Sequence, residues 1–205
     1  MITPAKHRAP EGQTEEEGRS PQPATRGSGP LLQRDYVLVI AGSRCTPEEA
    51  IRRVRRDFPR FSPRELAEFT RPAGAGESLE VGDTMHIHIA GYGDCAVRVA
   101  QVDPRRLTLL TLDGHLEAGR ITFSADRDAA GRLVLRIRSR ARLRNPPWLA
   151  AYALLGKHAQ TRVWVTFLER LAVSCGGLLR SDVLLATDRV RETLADRGEV
   201  AAPTV

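Results

Sequence analysis

The sequence predicts an α+β fold in which a curved antiparallel sheet wraps around a long C-terminal helix. From Leu133 to Leu143, apolar residues and Ser139 occupy one set of alternate positions and arginines occupy most of the other, a period of two that is typical of a strand with one apolar face. Several more strand-like segments, joined by short turns, precede it between residues 81 and 132. After Asn145-Pro146-Pro147 the apolar residues recur at helical spacing instead. A curved sheet with one apolar face needs a cover, and this helix can supply it.

The folded part is expected to open with a strand and two short helices. Tyr36-Val37-Leu38-Val39-Ile40 is rich in β-forming residues. Thr46-Pro47-Glu48-Glu49 and Ser62-Pro63-Arg64-Glu65 each place a hydroxyl N-cap before a proline, with a glutamate three residues after the cap. Each pattern predicts a helix, the first to about Asp57 and the second to about Thr70.

An antiparallel meander and the long helix complete the predicted order. The predicted strands are Thr84–Ala90, Cys95–Val102, Leu107–Leu112, Gly119–Ala125 and Leu133–Leu143. The helix places Trp148, Tyr152, Leu155, Ala159, Val163, Phe167 and Leu171 at helical spacing. Ser181-Asp182 can cap a short tail helix that runs to about Asp196.

Three segments are therefore predicted along the chain. Residues 1–30 are rich in Pro, Gly, Glu, Ser and Thr, and they are expected to be a disordered tail. Residues 31–174 form the domain, and residues 175–205 form a C-terminal tail. No stretch has the apolar length of a membrane span, and the N-terminus has no secretory h-region. The three scattered cysteines argue against a disulfide framework, so we expect a cytoplasmic protein.

The arginine row of the last strand has two interpretations. The row comprises Arg136, Arg138, Arg140, Arg142 and Arg144. The formal net charge of +6 can attract phosphates, nucleic acid or an anionic membrane. However, Lys6 and Lys157 are the two lysines among 31 basic residues, so the basic residues of an ordinary solvent-exposed face would also be arginines here. The residues interleaved with the row are aliphatic and point the other way, which favours the solvated face and makes nucleic acid an unexpected partner.

His115 and Glu117 are the candidate catalytic residues. They lie two apart at the start of a predicted strand and hence on one face. Such a pair can bind a ligand or perform acid–base work. The alternative is a turn held by hydrogen bonds, in which Gly114 and Gly119 shape the backbone.

Further candidate ligand-binding residues are His86, His88, Tyr92, Trp148 and Tyr152. The two histidines share a strand face and could bind a metal if His115 or Asp94 joined them, but nothing in the sequence requires this, and no metal is expected. The three aromatic residues can line a pocket mouth or serve as ordinary core and rim residues.

No motif for a cofactor or for nucleophilic catalysis is found. The sequence contains no phosphate loop, dinucleotide fingerprint, zinc-finger spacing or Gly-x-Ser-x-Gly elbow, so no cofactor is expected. Cys45 and Cys95 have no neighbouring base in the sequence, which predicts buried, inert thiols.

Two stretches of the sequence carry a family resemblance. The first is Thr111-Leu112-Asp113-Gly114-His115-Leu116-Glu117-Ala118-Gly119 with Phe123, and the second is Ser139–Arg142, Pro147-Trp148-Leu149, Leu155-Gly156, Gln160 and Trp164. With these residues the chain resembles an uncharacterised bacterial family of the START-like (birch-pollen-allergen-like, SRPBCC) helix-grip superfamily, over roughly Tyr36 to Ala172. The resemblance implies a fold with a pocket between sheet and helix, and no established activity.

Three functions are compatible with these observations. The leading hypothesis is binding of a small apolar or amphipathic molecule between the sheet and the C-terminal helix. The resemblance also implies an alternative, a cyclase- or aromatase-type enzyme that uses His115 and Glu117. A third hypothesis is an interaction module that uses the arginine row. The sequence specifies neither the ligand nor an oligomeric state.

Overall fold

A computed structural model describes residues 19–144, 146–179 and 182–198, and it describes the side chains in these ranges except in 146–157 and 178–179. The described residues form nine strands and two α-helices. The strands are β1 (Ser28–Ala41), β2 (Ala67–Thr70), β3 (Thr84–Ile89), β4 (Gly93–Asp103), β5 (Arg106–Thr111), β6 (Glu117–Arg127), β7 (Leu133–Leu143), β8 (Leu178–Leu179) and β9 (Leu184–Arg189). The helices are α1 (Pro47–Phe61) and α2 (Pro146–Cys175).

The strands form one antiparallel sheet in the order β2-β3-β4-β5-β6-β7-β1, and both β8 and β9 pair with the remaining edge of β1. The two helices pack on one face of this sheet, which we call the inner face. The predicted α+β class, with the long helix following the meander, is confirmed.

The alternation in β7 separates the two faces of the sheet as predicted. Leu133, Leu135 and Ile137 are buried on the inner face, and the arginines between Leu135 and Leu143 lie on the opposite, outer face. β7 pairs in register with β1 on one side and with β6 on the other. The inner and outer positions of all three strands are therefore fixed together, because a slip of one residue would reverse every side chain.

Aromatic rings pack against one another where α1 and α2 meet the sheet. The centroid of the Phe58 ring lies 5.0 Å from that of Phe69, 5.1 Å from Phe123 and 4.9 Å from Phe167. Trp164 extends the cluster, with its ring centroid 5.7 Å from that of Phe123. Although aromatic residues make up 5% of the chain, they are concentrated where both helices meet the sheet.

The second predicted short helix is wrong. The backbone makes a single turn after Ser62, closed by a hydrogen bond from the Ala67 N–H to the Pro63 carbonyl. Residues 67–70 then form β2, in which Ala67 and Phe69 are buried and the residues between and after them are exposed. Pairing with the edge of β3 satisfies the backbone of this segment, and the period-two burial outweighs the local capping signal.

The described residues that precede and follow the predicted domain pack onto the sheet more closely than the sequence predicts. Although residues 1–30 were expected to be disordered, residues 19–30 are part of the fold. Pro21 forms a bridge with Leu112, and Ala24 is fully buried. The expected tail helix is also wrong over the described residues, since Leu184–Arg189 is a strand and Leu194–Arg197 a short 3₁₀ turn. β9 pairs with β1 and satisfies backbone N–H and C=O groups that would otherwise be unpaired along this edge of β1.

The predicted cap at Thr46 is present, because its hydroxyl accepts a hydrogen bond from the Glu49 N–H at 3.1 Å. Thr46→Ala is expected to lower the free energy of unfolding by about 1 kcal/mol, since this N–H loses its partner. Urea denaturation measures the loss. Thr46→Ser keeps the hydroxyl and should retain most of the stability, so an equal loss in both variants would contradict the role of the cap.

Candidate functional site

A charged pair lies on the inner face of the sheet, beneath α2. The Nη1 of Arg34 on β1 is 2.8 Å from the Oε1 of Glu117 on β6, and these side chains are 9% and 14% exposed. The side-chain amide of Gln160, on α2, donates to the other carboxylate oxygen at 3.0 Å. We call these three residues the interior polar cluster. Removing charges from water costs free energy that pairing and hydrogen bonding must offset, and this cluster supplies both.

Small residues on β7 and β6 make room for this contact. β7 lies between β1 and β6, so the Arg34 side chain must cross it to reach Glu117. Arg34 pairs with Ser139, and Ala141 pairs with Gly119. At Gly119 a β-carbon would collide with the carbonyl oxygen of Arg140. Ser139 and Ala141, the small residues in the apolar row of β7, therefore leave the space that the Arg34 side chain needs to reach Glu117.

Further polar groups surround the cluster. Tyr36 follows Arg34 on the same face of β1 and is fully buried. Burial raises the pKa of Tyr36, and the opposing effects of Thr161 and Arg34 do not cancel this, so the phenol stays protonated at neutral pH. Among the described residues, the Nε of Arg34 and the indole Nε1 of Trp164 are buried without a hydrogen-bond partner. Buried donors of this kind are usually satisfied, and a bound molecule could satisfy them.

His115 contacts the backbone of Glu117 and not its carboxylate. The Nδ1 of His115 lies 3.1 Å from both the backbone N–H and the carbonyl oxygen of Glu117. Burial lowers the pKa of His115, although the charge of Glu117 opposes the shift. The imidazole is therefore neutral at pH 7, while the Glu117 carboxylate faces Arg34 and Gln160.

The segment from Thr111 to Gly119 is held by several side chains. The amide of Gln22 donates to the carbonyls of His115 and Glu117, at 3.0 Å each. The Thr111 hydroxyl accepts from the Gly119 N–H at 3.0 Å. These bonds match the interpretation of the segment as a stabilised turn, and the turn also presents the Glu117 side chain to the interior.

The other predicted site residues do not join this cluster in the described part of the chain. His86 and His88 lie on the outer face of β3, and the Nδ1 of His88 is 2.7 Å from an exposed Asp94 oxygen. The hydroxyl of Tyr92 donates to the Gly114 carbonyl at 2.8 Å. Trp148 and Tyr152 belong to α2, but their side chains lie outside the described residues.

Metal-binding and thiol chemistry have little support here. The described residues contain no group of three or more His, Cys, Asp or Glu side chains that could hold a metal ion. The three cysteines are free and buried, as predicted for Cys45 and Cys95. Burial raises the pKa of Cys95 and of Cys175 to about 12, so both thiols are protonated at neutral pH.

Arg34 was not among the site residues predicted from the sequence, and Gln160 appeared there only as part of the family resemblance. A signal for Arg34 was available, because it continues the alternation of Tyr36, Leu38 and Ile40 by one step towards the N-terminus. A charged residue at an apolar position of a strand needs a buried partner. The partner, Glu117, lies 83 residues further along the chain and can be identified only once the strands are paired.

Within the described residues, α2 and α1 lack the run of apolar residues that a helix needs to cross a membrane.

The class of protein follows from this architecture. A curved antiparallel sheet covered on its inner face by a long helix after the last meander strand is the helix-grip arrangement. Residues 41–170 match the family described as "Domain of unknown function (DUF1990)". The match spans more than half of the chain, so the chain belongs to this family, whose function is uncharacterised. No curated protein matches the sequence.

Several solved structures are similar to the chain. Major latex-like protein 151 from Panax ginseng is 13% identical over 72% of this chain and 99% of its own, with a TM-score of 0.47. Norcoclaurine synthase from Thalictrum, a point mutant, is 11% identical over 71% and 99%, with a TM-score of 0.47. DynU16, from the dynemicin biosynthetic locus, is 16% identical over 73% of this chain, which spans 50% of DynU16, with a TM-score of 0.42.

Proposed function

We propose that this protein binds a small amphipathic molecule between the inner face of the sheet and α2, with the polar end of the molecule at the interior polar cluster. The observation that carries the proposal is the buried pair of Arg34 and Glu117 beneath the helix, together with the Arg34 Nε that has no partner among the described residues. Buried charges in an otherwise apolar interior are costly and mark candidate functional sites.

An apolar wall adjoins the polar groups. Trp164 lies one helical turn after Gln160, so both residues project from the same side of α2. The indole contacts the sheet through Phe123 and Phe69, with ring centroids 5.7 Å and 6.3 Å away. Ligand sites typically combine an apolar lining with a few well-placed polar groups, and these residues supply both kinds of group.

The polar groups favour a particular chemistry at the ligand's polar end. Arg34 and Gln160 offer N–H donors, and Trp164 offers an indole N–H that has no partner among the described residues. Glu117 already accepts hydrogen bonds from the Arg34 and Gln160 side chains. The proposed ligand therefore carries a hydrogen-bond acceptor, a carbonyl or carboxylate oxygen, on an apolar body.

Native mass spectrometry with a panel of fatty acids and aromatic polyketides tests this proposal. We expect a retained one-to-one complex, and Gln160→Leu should weaken the binding of the retained compound about tenfold, which is roughly 1.4 kcal/mol. Gln101→Leu makes the same change on the outer face, where the Gln101 amide contacts Asp103, and should have no effect. A protein that retains no panel compound, or an equal loss in the control, would count against the proposal.

The cyclase or aromatase hypothesis has no geometric observation in its favour. The Glu117 carboxylate is held by Arg34 and Gln160, and Nδ1 of His115 contacts the backbone of Glu117. In the proposed function, Glu117 and His115 therefore stabilise the structure and position the ligand. Proton transfer between the two side chains is not part of this function.

A further inference from the structure

A polar groove lies on the outer face of the sheet, on the side opposite the interior polar cluster. It has a volume of about 540 Å³ and is open to solvent along one side. Its described lining includes five arginines from three neighbouring strands, namely Arg106, Arg120, Arg136, Arg138 and Arg140. This outer groove contains part of the arginine row that the sequence analysis interpreted as a solvated face.

The C-terminal segment forms one wall of the outer groove. We call residues 190–198 the C-terminal strap. The buried carboxylate of Asp196 accepts hydrogen bonds from Arg120 Nε at 3.0 Å and from Arg140 Nη2 at 2.8 Å. Thr193, in the same strap, lines the groove. The strap therefore covers the outer face at Arg120 of β6 and Arg140 of β7, beside the groove.

The register of the strands places two arginines around a serine. Arg106 on β5 pairs with Ser124 on β6, and Ser124 pairs with Arg136 on β7. Neighbouring strands are separated by about 4.8 Å, so both guanidinium groups can reach an anion above the serine hydroxyl. The next row along the groove, Thr108–Thr122–Arg138, adds two more hydroxyls and a third arginine.

Arg106 and Arg136, on either side of Ser124, are only partly neutralised by acidic side chains. Among the described residues, no carboxylate lies within ion-pairing distance of Arg106. Asp35 is 2.8 Å from Arg138 but 3.9 Å from Arg136. Asp126 lines the groove and lies 3.8 Å from Arg105, on the neighbouring turn. The end of the groove near Ser124 therefore has an excess of positive charge.

We propose that the outer groove binds a small phosphorylated molecule, with a phosphate group above Ser124 between Arg106 and Arg136. Arginine forks and hydroxyl donors are the groups that recognise phosphate oxygens in proteins. The volume matches that of a small-molecule site. The described lining contains no aromatic ring on which a base of a single strand could stack, which favours a small polyanion over a nucleic acid.

Isothermal titration of the full chain with inorganic pyrophosphate at low salt tests this proposal. We expect saturable one-site binding that Arg136→Gln weakens at least tenfold and that the double variant Arg106→Gln/Arg136→Gln abolishes. Arg60→Gln is the matched control, because Arg60 is on α1, is 79% exposed and should not affect binding. Asp35→Asn removes the carboxylate nearest to Arg136 and Arg138 and should tighten binding.

Unchanged thermal unfolding of the variants would show that the losses arise in the groove. The absence of saturable binding, or an equal loss in Arg60→Gln, would overturn the proposal. A single-stranded oligonucleotide that displaces pyrophosphate and binds far more tightly would also overturn it, in favour of a macromolecular partner. Binding of inorganic phosphate with the same affinity as pyrophosphate would show an adventitious ion only, and would overturn it as well.

Discussion

Arg34→Met is expected to lower the free energy of unfolding by about 3–5 kcal/mol, because it leaves the Glu117 carboxylate buried without its cationic partner. Gln160 would remain as a donor to the other carboxylate oxygen but carries no charge to offset the burial. The expected loss exceeds that of an exposed ion pair, which is worth about 1 kcal/mol at most. Urea denaturation, analysed as a two-state transition, measures it.

The double variant Arg34→Met/Glu117→Leu separates the interaction between the two charges from the cost of burying either charge alone. Once both charges are gone, no buried group is left unpaired, and most of the lost stability should return. Arg60→Met, on an exposed position of α1, should leave the stability unchanged. If the double variant were as unstable as the sum of its single variants, the coupling between Arg34 and Glu117 would be excluded.

Asp196→Asn is expected to cost about 3 kcal/mol and to release the C-terminal strap from the outer face. The side chain is fully buried, and it receives hydrogen bonds from Arg120 and Arg140 as well as from the N–H and hydroxyl of Thr193. An amide at this position keeps the shape but loses the charge that offsets two guanidinium groups. Hydrogen exchange of β9 and the strap should increase more than that of β6 and β7.

The same carboxylate makes stability dependent on pH. Burial by itself would raise the pKa of Asp196, but the bonds from Arg140 and Thr193 and the charge of Arg120 outweigh it, so the pKa is well below its usual range. A lowered folded-state pKa contributes stability that is fully present above the unfolded value of about 3.9 and is lost as the pH falls towards the folded value. Acid titration of the stability should therefore show a smaller loss in Asp196→Asn than in the parent.

Asp113→Asn provides the matched control for this variant. Asp113 pairs with Arg26 at 2.8 Å, but both side chains are about half exposed, at 42% and 52%. The control should cost less than about 1 kcal/mol and should leave the strap in place. Equal hydrogen exchange of the strap in the parent and in Asp196→Asn would contradict the anchoring role of the buried carboxylate.

Elements with a long and regular pattern could be predicted from the sequence. The alternation from Leu133 to Leu143 predicts both ends of β7 and both of its faces, because each side chain's direction depends only on local backbone geometry. The helix cap at Thr46 was likewise visible, since its partner lies three residues away. The helix predicted from Ser62 was wrong because its cap is also a local signal, and pairing with β3 outweighs it.

Contacts between distant residues could not be predicted in this way. Arg34 and Glu117 are 83 residues apart, and Arg140 and Asp196 are 56 apart. Each pair forms because strand register and the return of the C-terminal segment bring the two residues together. Glu117 stands out in the sequence by its spacing from His115, whereas the structure pairs its carboxylate with a residue that the predicted first strand did not include.

The sequence by itself determined the class of fold, the separation of apolar and cationic faces on β7, and the long helix that covers the sheet. These features follow from periodicities that each segment carries within itself. Only the tertiary structure decided which charges are buried together, where residues 19–30 and 184–198 pack, and that part of the arginine row lines a groove. Such features depend on the register of whole strands, and register is set by the summed packing of many residues rather than by any local pattern.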